Sequence, residues 1–258
     1  MHQKILFRAW MQLVAAYLIS LGLSWLTGWL LIHIIKIQPQ ILFELSTKRI
    51  SYTLPLLEAG SEKGFDESII LLVWNSLACL ATLSFIYTAS WFDPDHSDHF
   101  PHFIRKRFCS KRKMKLLCYL PGCSRIEAEP LRRLYLWLNV PFYGIVLLGV
   151  ENGLSISTAP AILGSYGKGL IALLPHGIIE IPTICLAGAV VYAAFLHIKT
   201  NMQTDLTADT FNAVANYRKT LPLQKIAAGV IIALLIAGII EAHLTLKIMA
   251  NLMGQPQN

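Results

Sequence analysis

The chain has 258 residues, of which 55% are hydrophobic and only 14% are charged, with a net charge of +7. Globular domains carry about 25% charged residues, so this composition excludes a soluble domain that must clothe its surface in charge. The surplus of Lys and Arg collects in segments between apolar runs, which reads as a membrane-orientation signal and not as a nucleic-acid footprint.

About 20 apolar residues in a helix cross the hydrocarbon core of a bilayer, and in chain order five runs meet that length or come near it. The first is residues 9–35, too long for the apolar core of a cleaved signal and closed by no small-residue cleavage site, so it reads as a retained anchor. Residues 36–67 follow, too short to fold alone, with an amphipathic helix expected along the membrane surface from Ile41 to Tyr52. The second run is residues 68–92, and a polar, basic loop occupies 93–133. The third run is residues 134–150, with room to continue past Glu151, and the fourth and fifth are residues 170–198 and 226–246. The expected fold is all-α: one integral membrane domain over residues 1–258, a polytopic bundle of about five transmembrane helices. Pro175 interrupts the fourth run, which leaves room for a re-entrant half-helix over residues 159–174.

Residues 93–133 hold ten Lys and Arg, whereas residues 36–67 hold four against five acids. The positive-inside rule then places the amino terminus, loop 93–133 and loop 199–225 in the cytoplasm of a cell whose inner membrane the chain spans. Segment 36–67, a turn over Glu151–Gly167 and the carboxyl terminus face outward. Loop 93–133 also carries His96, His99 and His102 at three-residue spacing, interleaved with Asp93, Asp95 and Asp98 and followed by Cys109, Cys118 and Cys123. These are legitimate ligand types for zinc or copper, but no Cys-x-x-Cys pair occurs and the gaps fit no zinc template, so neither metal nor cofactor is assigned.

The informative residues are the polar ones inside the spans. Glu180 is the only formally charged residue between Lys168 and Lys199, and insertion scales set the cost of a charge at a helix centre at about 2.5–3.5 kcal/mol. His176 stands four residues before it, on the same helical face. Pro175 suits a first helical turn, and Pro182 predicts a kink just past Glu180. Asn75 enters the second span by two turns, Glu151 and Asn152 close the third, and Glu241 comes late in the fifth, with His243 on nearly the opposite face. Read at 1.5 Å per residue, all of them fall in the outer half of the bilayer, which predicts a polar cluster of His176, Glu180, Glu241, Glu151, Asn152 and Asn75.

The segment Pro175-His176-Gly177-Ile178-Ile179-Glu180-Ile181-Pro182 resembles the signature of the stage II sporulation protein M family of integral membrane proteins. Asn152-Gly153 after an apolar run resembles that family's asparagine-glycine turn. Ile240-Glu241-Ala242 resembles its late helix, and Asn75 opens a similar helix rich in small residues. The resemblance covers about residues 68–250; Thr183 stands where the family often has alanine. It implies a multi-spanning inner-membrane protein without established catalysis. In endospore formers the namesake acts in engulfment, as a platform for partners that degrade peptidoglycan.

Three classes of function follow. The first is a scaffold or anchor subunit, not an enzyme, that assembles an envelope-associated complex through the polar cluster. Its expected partners are membrane lipids, envelope proteins and further copies of itself, with no nucleic acid. The second is a permease subunit with a Glu/His substrate or proton site, favoured by polar groups at one level and a broken helix. The third is an intramembrane metalloprotease, for which His176 and Glu180 supply too little: no His-Glu-x-x-His occurs.

Overall fold

The computed structural model describes residues 2–48, 54–93, 126, 128–203, 207–241 and 243. Among them the secondary structure is helical: α1 (His2–His33), α2 (Pro39–Thr47), α3 (Leu54–Glu62), α4 (Glu67–Thr88), a 3-10 turn at Ala89–Phe92, α5 (Glu129–Leu163), α6 (Tyr166–Gln203), α7 (Thr207–Thr220) and α8 (Leu223–Ile240). α1, α4, α5, α6 and α8 contain stretches long and apolar enough to cross a membrane. In lipid the backbone must satisfy its own hydrogen bonds, and a helix does this within one segment.

Contacts fix the directions of these helices. Ser20, Ser24 and Gly28 of α1 meet Gly149, Gly153 and Ser157 of α5 in the same order, so α1 and α5 run parallel. Gly169 lies against Ala159, and Gly188 against Pro141, so α6 returns antiparallel to α5. The start of α4 faces the end of α8 through Asp66 and His243. These directions alternate along the chain, as five successive crossings require. α6 is the central helix: it packs on α1, α4, α5, α7 and α8. Its apolar stretch is 56% buried, against 22% for α1, α4 and α8.

The closest packing joins α1 to α5. A Cβ on Gly149 would stand 2.6 Å from the Tyr17 carbonyl oxygen, and one on Gly153 would stand 2.3 Å from that of Leu21 and 2.8 Å from the Trp25 nitrogen. Ser24 Oγ crosses the seam to the Gly149 carbonyl at 3.3 Å. Lipid tails are as apolar as leucine, so helices inside a bilayer gain by backbone approach, which small residues permit.

Two expected boundaries differ. No turn occurs at Asn152-Gly153: α5 continues through both to Leu163, and the chain reverses at Gly164, whose φ of 82° caps the helix by donating to the Pro160 carbonyl. An asparagine-glycine pair signals a turn in water; here Gly153 serves the contact with α1. Nor is there a separate re-entrant half-helix at 159–174. Residues 159–163 end α5, and α6 runs unbroken from Tyr166 through Pro175 and Pro182. Membrane helices tolerate internal proline because neighbouring helices satisfy the freed backbone groups. Among the described residues of segment 36–67 there are two short helices, α2 packed on α5 and α3 packed on α4; the last part of the helix expected over Ile41–Tyr52 lies outside the described residues.

At the opposite end from α2, α7 buries Thr210, Phe211, Val214 and Tyr217. The Tyr217 ring stacks on His197 of α6 with centroids 5.5 Å apart, and burial raises its phenol pKa above the ordinary tyrosine range.

Replacing Gly153 with leucine drives a side chain into backbone atoms of α1. Overpacking of this kind costs about 1–3 kcal/mol. The detergent-solubilised Gly153→Leu protein should therefore melt at a clearly lower temperature than its parent, while Gly144→Leu, with open space around its Cβ, should not.

A candidate polar site at the centre of the bundle

Four helices bring polar side chains together around α6. Asn75 Nδ2 of α4 donates to Glu180 Oε1 of α6 at 3.1 Å. Asn152 Nδ2 of α5 donates to the Tyr17 hydroxyl of α1 at 2.8 Å. The two pairs are neighbours: Glu180 lies within electrostatic reach of the Tyr17 phenol, and also of the Cys79 thiol one turn beyond Asn75. Tyr17 is buried, whereas Asn75, Asn152 and Glu180 are partly buried.

The chemistry suits the depth. A side-chain amide donates to a carboxyl oxygen whether that carboxyl is ionised or protonated, so the Asn75–Glu180 bond survives either state. A phenol combines an apolar body with one hydroxyl that needs a partner when buried, and Asn152 supplies it.

Cross-helix bonding also reaches the backbone beside Glu180: the Trp10 indole of α1 donates to the Pro182 carbonyl at 3.0 Å. Thr183 Oγ1 bonds back to the Ile179 carbonyl at 2.6 Å. α6 also changes environment here. Leu170, Ile171, Leu174 and Ile178 stay 45–65% exposed, while Ala187, Val190, Ala194 and Ile198 are buried. Glu180 sits where the helix passes from a lipid-accessible stretch into the enclosed bundle.

The other expected site residues are distributed as follows. Asn152 is inside α5 and not at a rim; Glu151 beside it is partly buried. Glu241 caps α8, donating its backbone N–H to the Ala237 and Gly238 carbonyls. His243, two residues on, lies 4.0 Å from Asp66 at the start of α4. Antiparallel packing therefore sets Glu241 about two turns, roughly 10 Å, nearer that end than Asn75. Gly177 is partly buried in α6. The side chains of Pro175 and His176 lie outside the described residues, as do His96, His99, His102 and most of loop 93–133. Among the described residues no three His, Cys, Asp or Glu side chains gather in a way that could hold a metal ion.

Tyr17 and Trp10 are the site residues that reading the sequence missed. Hydropathy counts both rings as apolar, yet each carries a polar atom that gains from a partner when buried, and that was the available signal.

The asparagine–glutamate bond joins the helix that opens the resemblance to the helix that carries its signature. The family model for stage II sporulation protein M matches residues 68–246. The chain belongs to the stage II sporulation protein M family. No curated protein and no solved structure matches it. The matched stretch runs from the start of α4 past the end of α8, so α1, α2 and α3 precede it. The stage II sporulation protein M region thus receives Tyr17 and Trp10 from a helix outside it.

A double-mutant cycle measures the α1–α5 link. Interhelical hydrogen bonds in membrane proteins average about 0.6 kcal/mol and reach about 1.7. Tyr17→Phe and Asn152→Leu should show a coupling in that range when unfolding is followed in mixed micelles. Strict additivity would mean that the 2.8 Å contact stabilises nothing.

Proposed function

We propose that this stage II sporulation protein M family member is a scaffold or anchor subunit of the cytoplasmic membrane, its amino terminus in the cytoplasm, holding together an envelope-associated complex. One observation carries the reading: the polar groups inside the bundle are used between helices, Asn75 with Glu180 and Asn152 with Tyr17. Such bonds specify which helix faces meet, and they give a small bundle one defined surface to present to partners. Membership of the family supports the same role, and the basic segments at 93–133 and 199–225 support the orientation. In this reading no residue is catalytic and no cofactor is bound. The partners are envelope proteins, membrane lipids and a second copy of the chain.

Co-purification of the full-length protein in mild detergent, followed by mass spectrometry, tests the proposal. Stable protein partners are expected with the parent. Glu180→Leu and Asn152→Leu, which remove the interhelical partners of Asn75 and Tyr17, should lose most of that recovery while the variant chains still insert at parental levels. Equal recovery from parent and both variants would remove the polar cluster from assembly. Solute or proton flux through the purified protein in liposomes, with no partner recovered, would move the chain to the permease class.

A further inference from the structure

The uncovered side of α4 ends at a charged group. Val73, Leu77, Leu80, Ser84 and Tyr87 follow one another at steps of four and three residues, so they share one face of the helix, and all five are exposed. In a bilayer such a face lies against acyl chains, and Tyr87 is about 21 Å along the axis from Val73. Tyr87 and the nearby Trp91 are 51% and 45% exposed, and both are residue types that settle where the headgroups begin. The Arg218 guanidinium of α7 stands over the Tyr87 ring, 5.0 Å from its centroid.

That contact holds a cation at headgroup depth at the α7 end of the bundle. Among the described residues the guanidinium has the ring contact and no hydrogen bond or ion pair, so its N–H fork is left for water or a ligand. Lys219 follows it and Lys225 comes just after the turn at Pro222; both are exposed. Lys225 repeats the arrangement on α8, which packs on α4. Ile232, Ile236 and Ile239 share its side of the helix and are exposed. No acid occurs between Asp209 and Glu241, and Asp93, two residues past Trp91, is already engaged.

We propose that the end of α4 and the turn from α7 to α8 bind the headgroup of an anionic phospholipid. The Arg218 fork takes the phosphate in a two-point contact, and Lys219 and Lys225 supply the surrounding positive potential. One acyl chain runs along Val73, Leu77 and Leu80. The ligand is a lipid because the cation is seated on the ring that ends an apolar stripe, so a single amphiphile meets both. A choline headgroup would set its own cation against the two lysines. The assignment rests on the chain spanning a membrane and not on the scaffold role, since lipid affinity and recovery of protein partners are separate measurements.

Native mass spectrometry of the full-length protein, delipidated in detergent and titrated with phosphatidylglycerol or phosphatidylcholine, tests the site. The parent should bind the first phosphatidylglycerol at least tenfold more tightly than phosphatidylcholine. A Lys or Arg near an anionic headgroup contributes about 1 kcal/mol, or about fivefold in affinity. Arg218→Gln should therefore weaken phosphatidylglycerol binding about fivefold and the double variant Lys219→Gln, Lys225→Gln more, whereas Lys63→Gln, at the other end of α4, should not. Because both lysines are exposed, the double variant keeps the test decisive if Arg218→Gln unfolds α7. Equal affinity for the two lipids, or an equal loss from Lys63→Gln, would overturn the proposal. So would displacement of bound phosphatidylglycerol by inorganic phosphate, which would make this a site for a free anion.

Discussion

A hydrocarbon interior offers no hydrogen bonds, and this constraint organises the protein. A polar group that a crossing helix carries gains by finding a partner in the chain, since an unsatisfied group costs several kcal/mol at that depth; among the described residues Gln12 Oε1 and Ser76 Oγ are buried without one. Hydroxyls meet the demand locally: Ser20, Ser24, Thr27, Thr82 and Thr183 all bond back to carbonyls three or four residues earlier. Indoles meet it across helices: Trp10 reaches the Pro182 carbonyl, and Trp137 reaches the Phe85 carbonyl and the Thr88 hydroxyl at the end of α4. The two asparagines then join four helices around α6. Each such bond contributes little net stability, but leaving its partner bare is expensive, so the bonds act mainly by excluding other arrangements.

The same solvent weakens the force that packs a soluble core. Apolar side chains gain nothing by leaving lipid for protein, so contact area between backbones becomes the favourable term. α1 and α5 respond with a register of small residues, and α6 with alanines and valines that are buried between Ala187 and Ala194. α1 precedes the family region, yet it packs most extensively on α5 inside that region, and its Trp10 reaches the Pro182 carbonyl at the end of the signature segment. The packed unit in this chain is therefore larger than the stretch by which its family is identified.

Glu180 occupies a boundary and not a dry centre. On one side α6 exposes its apolar residues, and on the other it is enclosed by α1, α4, α5 and α8. A carboxyl group at such a boundary is tied to the bundle by Asn75 while remaining near the surface a partner helix would meet.

How much of this was legible in advance divides along physical lines. Five spans, an all-helical bundle and the family follow from composition and order, because span length is set by bilayer thickness and the signature segment is contiguous. Asn75 and Glu180 were legible as polar residues out of place in lipid. Their pairing was not, since residues 105 apart meet only when two helices take one register. Gly153 shows the limit most clearly: its neighbour asparagine made it look like a turn, whereas packing on α1 made it an interior helical position. Pro175 was read as a break for the same reason, and α6 runs through it. The sequence alone determined that this chain must bury certain polar groups within a membrane; only the tertiary structure decided which helix answers each of them, because in lipid the partner is chosen by close approach between distant segments.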